Sequence, residues 1–179
     1  RSTQTWWNFQ PRYCQYQVVD SELVTADNVD EILGDVSGIL VPGGFGNRGI
    51  DGMLEAIKYA RTHNIPFLGL CLGMQLSIVE FARDVIGYND AHSAELDPDT
   101  THPVIHIMPE QIDVENIGGT LRLGSYPCVL NKDSKAYKLY GSEEIQERHR
   151  HRYEVNNDYR DVLTQNGMLL SGLLRMDAL

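Results

Sequence analysis

Residues 66–75 read PFLGLCLGMQ. An apolar run from Phe67 to Leu70 meets Cys71, with Gly69 two positions before it and Gly73 two positions after. A helix-like segment follows at once. Gly-x-Cys-x-Gly between a parallel strand and a helix has the form of a nucleophile elbow, the sharp turn that lifts a reactive side chain off the sheet. Such a turn brings flanking backbone close together, so bulky side chains at the ±2 positions would collide. It aims the thiol at the carboxyl ends of the strands, where α/β folds bind ligands. The helix start supplies unpaired N–H groups and partial positive charge, which favour a thiolate. The N–H of Leu72 is well placed for an oxyanion. A lone cysteine is more often a small buried hydrophobe; the two glycines and the strand–helix setting argue against that for Cys71.

The flanks repeat the theme. GILV, 38–41, reads as a short buried strand and ends in PGGFGNRG, where glycines allow positive φ and close backbone approach. Asp51 is a candidate cap for a helix over GMLEAIKYARTHN, in which Met53, Leu54, Ile57 and Ala60 recur at helical spacing. The middle of the chain is therefore strand, helix, strand, helix, which predicts a parallel sheet with helices on its faces. In such a sheet PGGFG lies on the same edge as Cys71, and Gly44 is the candidate to point an N–H at a developing charge. A phosphate loop is disfavoured, because no Gly-Lys-Ser/Thr follows. Upstream, QYQVVDSELV suggests a short strand and turn. Downstream, HPVIHIM and GTLRLGSYPCVL read as strands, the second bounded by Gly118–Gly119. RHRHRYEVN alternates with period two, placing Arg148, Arg150 and Arg152 on one side and His149 and His151 on the other. YRDVLTQNG reads as a helix ending at Gly167, and MLLSGLL as a strand.

At 179 residues one domain is expected. A net charge of −10 and a pI of about 4.9 argue against nucleic acid and anionic membrane surfaces as partners. No apolar run approaches the roughly 20 residues of a membrane span, and no secretory signal pattern opens the chain. Cys14, Cys71 and Cys128 are odd in number and widely spaced, which disfavours a disulfide framework or a zinc site and suits a reducing cytoplasm. The basic run at 148–152 is either a local cationic face or a site for a carboxylate or nucleotide phosphate.

VPGGFGNRG followed by GLCLGMQ resembles the class I (triad) glutamine amidotransferases, and GGTLRLG and ERHRHRYEVN resemble the glutaminase domains of the CTP synthase family within them. The likeness runs from about Val24 to Leu174. It implies a flavodoxin-like α/β fold with a mostly parallel central sheet flanked by helices. It implies hydrolysis of L-glutamine through a cysteinyl thioester, the ammonia passing to a synthetase domain for ATP-dependent amination of UTP to CTP in pyrimidine biosynthesis. Carried over by position, Cys71 matches the nucleophile, and Gly44 and Leu72 the oxyanion hole. Leu72, Gly73, Met74 and Gln75 match the segment around the bound glutamine, Glu95 a carboxylate for its α-amino group, and Arg152 a position that contacts glutamine through its main chain, beside Tyr153. No cofactor or metal is expected in this domain; ATP and Mg belong to the synthetase domain, and GTP is the expected allosteric activator. The full-length protein is expected to be a homo-oligomer.

The family takes its base and orienting acid from a His-Pro-Glu motif after the final strands. None of the six histidines, His63, His92, His102, His106, His149 and His151, stands in a His-x-Glu triplet. The resemblance therefore implies that residues 1–179 are a glutaminase domain truncated at its C-terminal side, lacking the synthetase domain and inactive alone. The alternatives are a non-catalytic regulatory or interaction relative that retains a glutamine pocket, and a class I amidotransferase of another pathway. A cysteine hydrolase of the α/β-hydrolase type also uses the elbow.

Overall fold

Strands β1 (Ile39–Val41) and β2 (Phe67–Gly69) run parallel in the computed structural model, which describes residues 15–107 and 122–174. Cys14, Gly118–Gly119 and Met108 lie outside the described residues. Helix α2 (Ile50–Thr62) joins the two strands, with Leu54, Ile57 and Ala60 buried and Met53 packed at the edge of the same core, as the spacing predicts. Its cap differs from the expectation. Gly49 holds the cap position at φ 70°, and Asp51 falls inside the first turn, where its charge still suits the helix dipole.

Helix α3 (Leu72–Phe81) follows β2 and continues through a π-helical turn, Ala82–Ile86, to Gly87 at φ 90°. It is apolar nearly all round because it packs against α2 and against both sheet regions around it. Leu76 and Val79 are wholly buried beside Val104, Ile105 and Leu163. Glu80 is the one charged residue on this helix. It is 3% exposed and is met by Arg61 of α2, whose Nε and Nη2 donate to it at 2.9 and 2.7 Å. A buried carboxylate needs such a partner, so the pair fixes α3 against α2.

The second half changes pairing. β3 (His92–Ser93) lies parallel to β4 (Pro103–Ile107), and β7 (Tyr153–Val155) lies antiparallel on the other side of β4. β5 (Arg122–Leu130) pairs antiparallel with β6 (Glu144–His151) and with β8 (Gly172–Leu174). Helix α4 (Lys135–Tyr140) sits between β5 and β6, capped by Ser134, and α5 (Arg160–Gln165) ends before Gly167 as expected. The α/β class stands, with parallel pairs β1·β2 and β3·β4 and an antiparallel portion that the sequence pattern left unspecified.

Two local readings are corrected. Residues 15–20 form no strand; Asp20 instead caps a 3-10 turn over Ser21–Leu23, accepting from the Glu22 amide at 3.1 Å. A helix not foreseen, α1 (Val29–Leu33), follows and buries Val29 and Leu33 against Ala56 and Tyr59. The basic run also differs. Arg148 and Arg150 are exposed and His149 and His151 half-buried, as alternation requires. Arg152 leaves the pattern, because the chain bends there to pass from the β5 sheet to the β4 sheet.

Candidate active site

Cys71 stands between β2 and α3 with φ 53° and ψ −107°. Among the described residues only it and Asn64 are non-glycines with positive φ. Asparagine tolerates positive φ in the left-handed helical region; Cys71, with ψ −107°, lies outside that region, and holding a cysteine there costs about 1–3 kcal/mol. The turn cannot be made otherwise. A Cβ on Gly69 would stand 2.6 Å from the Gly73 carbonyl group and the Met74 nitrogen, and a Cβ on Gly73 would overlap the Val41 carbonyl. Both glycines are thus required by backbone contact, as the ±2 spacing predicts.

The PGGFG turn abuts the elbow. A Cβ on Gly43 would lie 3.2 Å from Cys71 Cβ and 3.8 Å from its Sγ, and one on Gly44 would lie 3.3 Å from Leu72 Cδ2. Gly43 was not among the expected site residues, although its adjacency to Gly44 was the signal. Leu72 is the first residue of α3, so its amide has no intrahelical acceptor. Gly73 is buried and Met74 is 38% exposed on the same turn. Gln75 is buried, and its Nε2 donates to the Tyr153 carbonyl at 3.1 Å. That bond ties the start of α3 to the residue next to Arg152.

Arg152 has a buried Nε that meets no acceptor among the described residues. Its guanidinium is close enough to Glu95 to lower that carboxyl's pKa, against a larger rise from desolvation. Glu95 is exposed as a residue, yet its carboxyl lies low enough against the protein to feel that burial. A carboxylate and a guanidinium thus stand near each other, next to the residue that Gln75 holds. Together they match the two charges of an amino-acid zwitterion. No hydrogen bond joins a histidine to the Cys71 thiol among the described residues. His63 stacks on Tyr59, His102 bonds Asp90, and His149 packs edge-on against Tyr126. Those residues also contain no group of side chains able to hold a metal ion, and no helix long and apolar enough to cross a membrane.

The family model "Glutamine amidotransferase class-I" matches residues 7–170. The CTP synthase of Staphylococcus saprophyticus is 61% identical over 154 residues, covering 86% of this chain and 29% of that protein. The CTP synthase of Geobacillus kaustophilus is 58% identical over 156 residues, covering 87% and 29%. The chain thus spans under a third of the length of these relatives. Among solved structures, the Trypanosoma brucei CTPS glutaminase domain with bound acivicin superposes with a TM-score of 0.82 at 40% identity, over 91% of this chain and 63% of that one. The elbow and the match over most of the chain agree: the chain belongs to the class I glutamine amidotransferase family, and within it the likeness is to the glutaminase domain of CTP synthases.

Proposed function

We propose that Cys71 attacks the side-chain amide carbon of L-glutamine. The thiolate bonds to that carbon, the C–N bond breaks, and the nitrogen leaves as ammonia after gaining a proton. Water then cleaves the thioester, giving glutamate and restoring the thiol. In this reading the Gly44 and Leu72 amides receive the oxyanion, and the Leu72, Gly73, Met74 and Gln75 turn borders the substrate. Glu95 takes the α-ammonium, and Arg152 lies against the α-carboxylate. The observation that carries the reading is the positive-φ cysteine locked between Gly69 and Gly73. Strain of that kind persists where a reactive atom must be presented at a fixed place.

The sequence likeness extends the reading to the whole protein. Ammonia made here is used by a synthetase domain, where ATP with Mg activates UTP for amination to CTP, and GTP stimulates glutamine use. In the family the base for the cysteine and the acid for the leaving nitrogen come from a His-Pro-Glu motif, and none of the six histidines of residues 1–179 stands in such a triplet. The glutaminase domain itself uses no cofactor, and the full-length protein works as a homo-oligomer in the cytoplasm. Cys71→Ala in the full-length protein tests this. Glutamine-supported CTP formation should fall by roughly a hundredfold or more, while formation supported by added ammonia stays near wild type. Equal loss with both nitrogen sources would make Cys71 structural.

A further inference from the structure

Glu95 is carried by the connection between β3 and β4. A carboxylate on an unrestrained loop is a poor fixture for a substrate charge, because the loop must be ordered each time the substrate binds. The base of this loop is closed by a cluster that the sequence pattern did not reveal. The Asp90 carboxylate accepts from the Thr101 amide at 2.8 Å, from the Thr101 hydroxyl, and from His102 Nδ1 at 2.6 Å. One residue before the loop is thereby tied to two residues at its end. The Thr100 hydroxyl donates to the Asp90 carbonyl at 2.6 Å, and the His92 amide to the His102 carbonyl at 3.2 Å. The His102 ring lies on Tyr88, with centroids 4.2 Å apart and planes 16° apart, and Tyr159 approaches both rings edge-on.

Inside the closed loop the order reaches Glu95 itself. Buried Ser93 accepts from the Glu95 amide through its hydroxyl at 3.3 Å, and its carbonyl accepts from the Leu96 and Asp97 amides at 3.0 and 2.9 Å. Ser93 is in turn held on β4, with the following Ala94 amide donating to the Ile105 carbonyl at 2.9 Å. A neutral imidazole facing an ionised carboxylate keeps its one proton on the nitrogen between them, so the clasp does not depend on His102 being charged.

We propose that Asp90 and His102 are positioning residues for Glu95: by clasping the ends of the 91–101 loop they hold its carboxylate where the substrate's α-ammonium binds. The proposal deepens the reading of Glu95 given above and rests on it. It makes glutamine affinity, and not the chemistry of the thiol, the quantity that the clasp controls.

Alkylation of Cys71 by iodoacetamide, followed by peptide mass spectrometry and titrated with glutamine, reads both quantities at once. The rate without glutamine reports the thiol, and the protecting concentration reports affinity. Asp90→Asn and His102→Ala should each raise the protecting concentration roughly five- to tenfold with the unprotected rate unchanged. His102→Asn, which keeps a donor at the same place, should recover most of the loss. In a Glu95→Gln background, Asp90→Asn should add less than about twofold, since a residue acting through Glu95 has nothing left to position. Full losses that multiply with Glu95→Gln would overturn the proposal, as would wild-type protection in both clasp variants. If wild-type Cys71 is not protected by glutamine at all, the assignment of Glu95 fails first and the clasp's role falls with it. If circular dichroism shows Asp90→Asn unfolded, the His102→Ala and His102→Asn pair decides the matter.

Discussion

The Cys71 elbow and the Glu95 loop are built in opposite ways. The elbow is made of backbone: Gly69 lies against Gly73, Gly73 against Val41, and Gly43 against Cys71, with no side-chain hydrogen bond among them. The loop is made of side chains, with Asp90, Thr100, Thr101, His102 and Ser93 supplying the bonds that shape it. The difference sets how each can fail. A backbone-built turn has no slack, and an atom added at Gly69 or Gly73 must displace main chain. A side-chain-built loop can lose one partner and keep its path while its charged group wanders.

Substitutions can break this comparison. The largest effect is expected at Gly73, where a methyl group has no room beside the Val41 carbonyl. Gly73→Ala should lower unfolding free energy by about 3 kcal/mol or more in urea titration. Gly46→Ala, in open space at φ 80°, should cost only about 1 kcal/mol. Similar costs at the two positions would show that the elbow yields more easily than its contacts indicate. A smaller effect of opposite sign is expected at the nucleophile. The backbone angles of Cys71 mirror those of an ordinary extended residue, a region open to glycine. Cys71→Gly should stabilise the fold by about 1 kcal/mol, raising the melting temperature, whereas Cys71→Ala should not. No gain with glycine would mean the strain is relieved elsewhere.

The smallest effect concerns the loop and acid. Hydrogen bonds from the Thr101 hydroxyl, then His102, then the Thr101 amide hold the Asp90 carboxyl far below the usual carboxylate range. The unfolded chain then binds this proton more readily than the folded one. The contribution is fully present above the ordinary aspartate value of about 4 and is lost as pH falls below it. Melting curves from pH 7 to pH 2 should fall less steeply in Asp90→Asn than in wild type. Parallel curves would remove Asp90 from the account of acid stability.

The elbow was legible in the sequence because its determinants are local. Two glycines at fixed spacing from a cysteine, after an apolar run and before a helix, encode the turn within one short segment. The Glu95 loop was legible only through family likeness, since Asp90 and His102 are separated by the loop they close and neither belongs to a motif. The bend at Arg152 was hidden for a related reason. Period-two alternation shows that a segment is extended, not that its first part pairs with β5 and its last with β4. The short helix α1 was missed because five residues carry too little propensity to form alone. Its stability comes from Val29 and Leu33 packing on α2 and from the Tyr59 hydroxyl bonding Asp30 at 2.6 Å. The unpaired segment before it had strand-like composition, but among the described residues no neighbouring strand offers it a ladder.

The central claim is that the chain's architecture singles out one thiol and presents it to glutamine. Brief treatment with iodoacetamide, resolved by peptide, compares the two described thiols directly. Cys71 and Cys128 are both half-buried, so access alone does not separate them. Burial, and then Glu147, pushes the Cys128 thiol up, whereas Cys71 sits at a helix start, beside the Leu72 amide that has no intrahelical acceptor. The account predicts that Cys71 is alkylated first and that glutamine slows its labelling alone. Preferential labelling of Cys128, or labelling of Cys71 that glutamine leaves unchanged, would contradict it.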